Sequence, residues 1–292
     1  MCLHGESPTW DPVDSMLHWV DITAGIVHHW GLDTIYSSDA FQTEITAISP
    51  HASGGLIAAT RDGFAHLYEG RLHRLSGVIA DQPRLRMNDG ACDGAGRFLA
   101  GSMSYGAEPD AGALYRLDLD QQVEKIIEPV SIPNGIDWNA DGTLMYFTDS
   151  ATGLIKGYDY DVDTGILGSQ RTVLDLSDAA GEPDGLTVDA EGNLWIAMWD
   201  GWEVRCYSPE GDLLYQLPVP VQRPTSVAFA GHSLTELYIT TSRYGLSAEA
   251  LAAQPAAGRL LRYRPGVAGR NPTLCRVQLT TFPTTEELEP CE

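Results

Sequence analysis

Lysine is almost absent from this chain. Its 292 residues contain 18 Lys and Arg together against 40 Asp and Glu, and the two lysines are Lys125 and Lys156. The resulting formal net charge of −22 repels nucleic acid phosphates and anionic lipid headgroups. Neither nucleic acid nor a membrane surface is therefore an expected partner. The charge describes an acidic surface and does not bear on the fold.

Cysteine and long apolar runs are also scarce. The five cysteines show neither CxxC nor a zinc-type spacing, and Cys92 and Cys206 fall in apolar patterns typical of buried thiols. No window reaches the length of a membrane span. The first ten residues lack the basic start and apolar run of a signal peptide. We expect a cytoplasmic protein.

The common catalytic motifs are missing as well. The eight histidines are scattered without HExxH, and there is no GxSxG sequence around a nucleophilic serine. Segment 159–165 begins like an EF-hand loop, but its glycine comes one place late and Gln170 stands where the closing glutamate belongs. A hairpin turn is the better interpretation of that segment.

Turn formers and aromatic residues are abundant instead. Thirty Gly, seventeen Pro, seven Trp and twelve Tyr indicate many turns around a large all-β core. Segment 182–199, EPDGLTVDAEGNLWIAMW, contains a strand, a tight Gly turn and a second strand, which form a hairpin. Related hairpins start about 40–50 residues apart, the spacing of one propeller blade. They cover 10–21, 49–59, 92–101, 138–149, 188–197 and 229–240. The sequence therefore predicts a six-bladed β-propeller of four-stranded blades.

The runs between the hairpins predict the remaining strands of each blade. Third strands are expected at 64–68, 113–117, 155–160, 203–207 and 260–263, outer strands at 171–176 and 213–219, and a short helix at 247–254. A late strand at 275–279 is expected to supply most of the ring closure. We predict one propeller domain over 1–283 and a disordered acidic tail over 284–292.

Polar residues precede four of the inner strands. They are Glu6, Asn88, Asn134 and Asp184. Inner strands of a propeller start near its axis, so these side chains are expected to converge at one end of the central channel. Their oxygens suit Ca²⁺, Mg²⁺ or Mn²⁺, and also accept Zn²⁺ or Fe²⁺. The alternative is that Asn-Gly and Asp-Gly are ordinary turn dipeptides.

Several of these segments carry a family resemblance. The sequences ESPTW at 6–10, RMNDG at 86–90, IPNGIDW at 132–138, PDG at 183–185 and TSRYGL at 241–246 resemble the family of gluconolactonase and regucalcin, also called senescence marker protein. The similarity extends over nearly the whole chain. It implies the same six-bladed propeller and an activity in carbohydrate metabolism, the hydrolysis of sugar aldonolactones to aldonic acids.

The resemblance also implies functional residues. It implies one divalent metal ion held by Glu6, Asn134 and Asp184, with Arg86 and Asn88 orienting a lactone of the gluconolactone, xylonolactone or arabinonolactone type. We expect Asp184 to act as general base toward a water molecule. Trp199, Trp202, Met103 and Tyr244 are candidates for the pocket wall, or else for blade packing.

The chain departs from the family in three places. Ser7 replaces the usual glycine after the metal-binding glutamate, and the strand that usually precedes Glu6 is nearly absent. Where animal members carry a second acidic substrate contact, this chain has Tyr105 followed by Glu108, which we expect to substitute from a shifted loop.

Two other functions remain open from the sequence. The first is a non-catalytic propeller that binds calcium or a partner protein through the same face. The second is an esterase or phosphotriesterase that uses the same metal face, although Arg86 with Asn88 favours a small polyhydroxylated substrate.

Overall fold

Antiparallel sheets follow one another along the chain. The computed structural model describes residues 1–31 and 36–279. The tail predicted over 284–292 lies outside the described residues. The strands, in blade order, are β1 (Gly5–Asp11), β2 (Met16–Asp21), β3 (Ile26–Gly31) and β4 (Tyr36–Ala40); β5 (Ile45–Pro50), β6 (Leu56–Thr60), β7 (Phe64–Tyr68) and β8 (Arg71–Ser76); β9 (Leu85–Cys92), β10 (Phe98–Ser104), β11 (Gly112–Leu117) and β12 (Val123–Val130); β13 (Pro133–Trp138), β14 (Leu144–Asp149), β15 (Leu154–Tyr160) and β16 (Leu167–Asp175); β17 (Glu182–Val188), β18 (Leu194–Trp199), β19 (Glu203–Tyr207) and β20 (Leu213–Pro218); β21 (Pro224–Ala230), β22 (Glu236–Thr241) and β23 (Leu261–Tyr263).

The sheets form a six-bladed β-propeller, as predicted. Each inner strand contacts the inner strand of the next blade, and β1 contacts β21, so the ring is closed. Five blades have four strands, and the sixth has three within the described residues. The predicted third and outer strands are present, and so is the short helix, α1 (Ala248–Ala253), which Ser247 caps. Within the described ranges no helix is long and apolar enough to cross a membrane.

Alternating apolar side chains explain why the blades pack face to face. The inner strands are buried along most of their length, whereas outer strands such as β4 and β8 are largely exposed or half-buried. Apolar side chains of adjacent blades form continuous clusters, for example Phe64 against Phe98 with ring centroids 6.0 Å apart. Burial of these faces supplies the driving force that holds six separate sheets together.

Ring closure differs from the prediction. Segment 275–279 adds no strand to the sixth blade, and Cys275 makes a single bridge with His51 of the second blade. The first residues of the chain tie the first blade to the sixth instead. Arg243 donates its backbone N–H to Leu3 O (2.9 Å), and His4 pairs with Ser242. Local alternation in 275–279 predicted a strand, but it could not reveal which edge that strand would meet.

The C-terminal segment, 264–279, crosses the end of the channel where the inner strands finish. The backbone of Gly269 donates to Leu234 O (2.7 Å), and that of Arg276 donates to Gly96 O (2.8 Å). The Arg270 guanidinium donates to Asp137 Oδ1 (2.9 Å). The described residues of this segment therefore lie at the opposite end of the channel from the start of the inner strands.

Candidate functional site

Each inner strand starts with an irregularity at the same place. The pairing of the first two strands shifts register near the start of the inner strand in all six blades. Such bulges redirect one side chain toward the channel. The side chains at this position are Glu6, Thr46, Asn88, Asn134, Asp184 and Thr225, and all are buried. The four polar positions predicted from the sequence therefore come together.

Thr46 and Thr225 complete this ring but were not predicted. Their hydroxyls are engaged by the backbone: Thr225 Oγ1 donates to Gly5 O (2.6 Å), and Thr46 Oγ1 donates to Ala59 O (3.4 Å). Neither threonine belongs to an Asn-Gly or Asp-Gly pair. Thr225 stands four residues before its predicted hairpin, as the four predicted residues do, and that distance would have revealed it. Thr46 stands three residues before the hairpin predicted at 49–59.

The two asparagines are held by a chain of hydrogen bonds. Asn88 Nδ2 donates to Asn134 Oδ1 (3.0 Å) and to Pro133 O (2.8 Å). Asn134 Nδ2 donates to Ser150 Oγ (2.8 Å), whose hydroxyl donates to Pro183 O (2.6 Å). Because the amide nitrogens are occupied by these acceptors, both side-chain oxygens have a fixed position. Buried networks of this kind hold a site in one geometry.

Glu6 and Asp184 are buried carboxyl groups of the same ring. Burial raises the pKa of both well above the ordinary value, and the charge of each neighbouring acid, Asp89 included, raises it further. Neither forms an ion pair with a basic side chain among residues 1–31 and 36–279. Ser7 N–H donates to Glu6 Oε2 (2.8 Å), which is a small compensation.

These donors fit a hard divalent cation. Two buried carboxylates without a cationic partner are costly, and a cation between them would offset that cost. The described residues contain no group of three or more His, Cys, Asp or Glu side chains that could hold a metal. A metal here would therefore need the amide oxygen of Asn134 besides Glu6 and Asp184, which is the ligand set that the resemblance implied.

A cavity of about 340 Å³ opens above this ring. Of the residues expected from the sequence, the following line it: Glu6, Arg86, Asn88, Met103, Asn134, Asp184, Trp199 and Tyr244. Trp202 does not. Glu108 does not either: it is exposed in the loop after β10 and lines a separate surface depression with Arg84. The expectation that Glu108 reaches the substrate from this loop is therefore not supported by its position.

Arg86 is the cationic group of the cavity. Its Nη1 donates to Asn88 Oδ1 (2.6 Å) and to Met87 O (2.9 Å), and its other guanidinium nitrogens have no hydrogen-bond partner within the described ranges. Burial lowers the pKa of Arg86, and the nearby charge of Glu44 gives the largest opposing effect. Arg86 thus presents free N–H donors to the cavity.

Sequence reasoning missed several residues of the cavity. They are His4, Glu44, Tyr105, Ser150 and Glu182. His4 lies between Trp199 and Tyr244, with ring centroids 5.5 and 5.7 Å away. Burial and the charges of Arg86 and Arg223 lower the pKa of His4 to about 3, so the imidazole is neutral. These rings form one apolar wall of the cavity.

Comparison with known proteins finds one family that matches most of the chain. The model of the "SMP-30/Gluconolactonase/LRE-like region" matches residues 4–243. The chain is 38% identical to regucalcin of Danio rerio over 260 residues, 87% of this chain and 88% of that protein. It is 35% identical to regucalcin of Homo sapiens over 270 residues, 89% of this chain and 90% of that protein.

Solved structures agree with these matches. A calcium-binding protein, regucalcin, from Agrobacterium tumefaciens superposes with a TM-score of 0.90 at 29% identity, covering 95% of both chains. A luciferin-regenerating enzyme superposes with a TM-score of 0.88 at 28% identity, covering 94% of this chain and 96% of that one. The chain belongs to the SMP-30/gluconolactonase/LRE-like family.

Proposed function

We propose that this protein is a metal-dependent sugar lactonase that opens aldonolactones to aldonic acids. The observation that carries the proposal is the cavity at the open end of the channel. There the buried oxygens of Glu6, Asn134 and Asp184 lie beside the free donors of Arg86. Membership of a family that includes gluconolactonases supports the same chemistry.

Lactone hydrolysis adds water to the carbonyl carbon and breaks the bond from that carbon to the ring oxygen. A base must take a proton from the water, and the departing ring oxygen must receive one. Asp184 is the carboxylate in this proposal that accepts the first proton and returns it to the ring oxygen. The product is a hydroxy acid, which ionises at neutral pH.

The neighbouring side chains orient the lactone. The free N–H groups of Arg86 donate to the carbonyl oxygen or to a ring hydroxyl, and Asn88 is fixed by Pro133 O so that it keeps Arg86 in place. The aromatic wall of His4, Trp199 and Tyr244 packs against the C–H face of the ring. Positioning of this kind lowers the entropic part of the barrier.

Glu6, Asn134 and Asp184 would hold the metal ion. When bound, a divalent cation supplies Lewis-acid polarisation of the carbonyl group and makes a nearby water more acidic. Oxygen donors accept Ca²⁺, Mg²⁺, Mn²⁺, Zn²⁺ or Fe²⁺, and the Agrobacterium relative is described as calcium-binding, so Ca²⁺ belongs among the ions tested.

Turnover of a lactone panel tests the proposal. Gluconolactone, galactonolactone, xylonolactone and arabinonolactone are assayed after chelation and after addition of each of the five ions. We expect opening above the spontaneous rate that chelation abolishes and one or more ions restore. If every lactone opens only at its spontaneous rate with every ion, while an ion still raises the melting temperature, the protein is a non-catalytic metal-binding propeller.

A further inference from the structure

A second ring of side chains lies one step above the buried ring. In every blade, the residue two places before the buried position occupies it. These residues are His4, Glu44, Arg86, Ile132, Glu182 and Arg223. All except Arg223 line the cavity, and Arg223 lies over the Trp199 ring at 4.5 Å from its centroid. This upper ring therefore forms part of the cavity wall above Glu6, Asn134 and Asp184.

Carboxylate acceptors occur at two places in the upper ring. Glu44 belongs to the second blade and Glu182 to the fifth, so they lie on opposite sides of the channel. Glu182 is exposed, whereas Glu44 is half-buried and held in place. Tyr105 Oη, from the loop of the neighbouring blade, donates to Glu44 Oε2 at 2.5 Å. One hydrogen bond leaves most of the acceptor capacity of this carboxylate free.

Glu44 stands beside Arg86 without forming an ion pair with it in the described part of the chain. Both side chains line the cavity, and the inner strands that they precede or belong to, β5 and β9, contact each other. The charge of Glu44 raises the pKa of Arg86 against the effect of burial. The cavity thus offers a charged acceptor and charged donors side by side. A sugar hydroxyl both donates and accepts a hydrogen bond, so neighbouring hydroxyls match this pair.

We propose that Glu44, oriented by Tyr105, accepts hydrogen bonds from the ring hydroxyls of the substrate and thereby selects hydroxylated lactones over unsubstituted ones. The inference rests on the proposed function, because it concerns the same cavity. Glu44 is a specificity-determining residue in this proposal, and Tyr105 is a positioning residue. The exposed Glu108 has no part in it.

Binding of two lactams tests Glu44 without requiring turnover. D-Gluconolactam carries the ring hydroxyls, and δ-valerolactam carries none; both are titrated calorimetrically in excess calcium. We expect Glu44→Ala to bind gluconolactam at least about tenfold more weakly, the loss of one charge-assisted hydrogen bond. Its affinity for δ-valerolactam should equal that of the wild type. Glu44→Gln keeps the shape and should lose about threefold, since a neutral acceptor is weaker.

Two further variants complete the experiment. Tyr105→Phe should weaken gluconolactam binding and leave the melting temperature unchanged, because its ring is half exposed. Glu210→Ala, a matched change at an exposed turn, should bind both lactams like the wild type. Glu108→Ala should do the same. A loss with Glu108→Ala instead of Glu44→Ala would assign the contact to the exposed loop and overturn the inference.

The outcomes separate this inference from the proposed function. Gluconolactam binding that depends on Glu44, together with no lactone turnover, would leave the inference standing and refute the lactonase. If lactones are turned over and Glu44→Ala binds gluconolactam as tightly as the wild type, the lactonase stands and the inference about Glu44 is refuted. A wild-type protein that binds neither lactam, or both equally, also contradicts the role given to Glu44.

Discussion

At the scale of single residues, the site stores an unfavourable interaction. Glu6 and Asp184 are both buried, which raises the pKa of both carboxyl groups, and the charge of Glu6 raises the pKa of Asp184 further. A cation-free protein would bear this cost, and the cation of the proposed function would remove it. The two carboxylates that the proposed function needs are therefore expected to weaken the fold when no cation is present.

We expect Asp184→Asn to have opposite effects on stability and activity. In the presence of a chelator, the variant should be more stable by about 1–3 kcal/mol, because a buried like-charge contact is gone. Lactonase activity should fall by about 10²–10⁴-fold, the usual contribution of a positioned base. Thermal unfolding with and without calcium, beside activity assays, checks both effects.

Asp212→Asn, at an exposed turn, is the matched control and should change neither quantity. A chelated Asp184→Asn protein that melts below the wild type would show that Asp184 stabilises the ring without a cation. That result would contradict the argument from buried like charges.

Ser7 is a second residue where backbone and side chain oppose each other. Its φ of 48° lies in the left-handed region, which favours glycine. Its hydroxyl, however, accepts from Ile48 N (2.9 Å) and so joins the first blade to the second. Compared with glycine, serine at this position adds backbone strain but also adds a hydrogen bond between two blades.

We expect Ser7→Gly to be less damaging than Ser7→Ala. Both variants leave the Ile48 N–H without its acceptor, but glycine also relieves the left-handed strain, a difference of about 1 kcal/mol in the free energy of unfolding. Urea unfolding of the two variants measures the difference. Equal stabilities would mean that the strain at residue 7 is negligible.

At the scale of elements, an aspartate closes the turn between the first two strands of a blade. Asp93 Oδ1 accepts from the backbone of Ala95 (3.0 Å) and Arg97 (2.8 Å). Its Oδ2 accepts from Arg97 Nη1 (2.7 Å) and Tyr160 Oη (2.7 Å). Asp118, 3.5 Å from Arg97 Nε, is a second and more exposed partner. Asp93 thus serves its own turn and the junction with the fourth blade.

The corresponding turn of the fifth blade provides an internal comparison. Asp189 accepts from the backbone of Asn193 (2.9 Å) and from Trp195 Nε1 (2.9 Å), which are neutral donors. We expect Asp93→Ala to cost about 3–5 kcal/mol, because Arg97 loses its buried partner. Asp189→Ala should cost about 1–3 kcal/mol, since only neutral hydrogen bonds are lost. Chemical unfolding of both variants decides, and the reverse order would contradict the role given to Arg97.

What the sequence could predict follows from the same repetition. Hairpins were predictable because alternation and a Gly turn are local patterns, and they recur six times. Glu6, Asn88, Asn134 and Asp184 were predictable because each stands at one repeated distance before a hairpin. Glu44 stands one residue nearer to its predicted hairpin than the other residues of the upper ring do to theirs, and no turn dipeptide marks it, so it was missed.

Contacts between distant segments were not predictable. Glu108 is close to Tyr105 in sequence, yet the loop after β10 turns it away from the cavity. The late strand expected at 275–279 meets the second and third blades instead of the sixth. In both cases the outcome depends on the path of the chain in three dimensions, which no local pattern encodes.

At the scale of the whole molecule, the first and last described segments contact different parts of the propeller. Residues 2–4 close the ring, and Cys2 N–H donates to Gly258 O (2.7 Å). Segment 264–279 covers the far end of the channel. Among the described residues, the cavity thus lies at the opposite end of the channel from segment 264–279, and the upper ring that contains Glu44 lines it.

Buried histidines make the whole molecule sensitive to acid. Burial lowers the pKa of His28, His51 and His66, and it lowers that of His18 to about 3 from 6.5. Below pH 6.5 the unfolded chain binds protons that these folded imidazoles do not bind. The contribution of these histidines to the free energy of unfolding is therefore fully present above their unfolded pKa. It is lost as the pH falls toward their folded pKa.

The contribution of His18 can be isolated with His18→Gln. In the wild type, His18 Nδ1 lies 2.8 Å from His29 Nδ1, and glutamine keeps a polar partner for His29. Glu6 and Asp184 have raised pKa values and act in the opposite direction, but they are the same in both proteins. Between about pH 7 and about pH 5, the wild type should lose about 2 kcal/mol more free energy of unfolding than the variant. Denaturant titrations at the two pH values measure this difference. If wild type and variant lose the same free energy of unfolding, His18 is protonated in the folded protein. In that case the packing of the first two blades around His18 would have to open at mildly acidic pH.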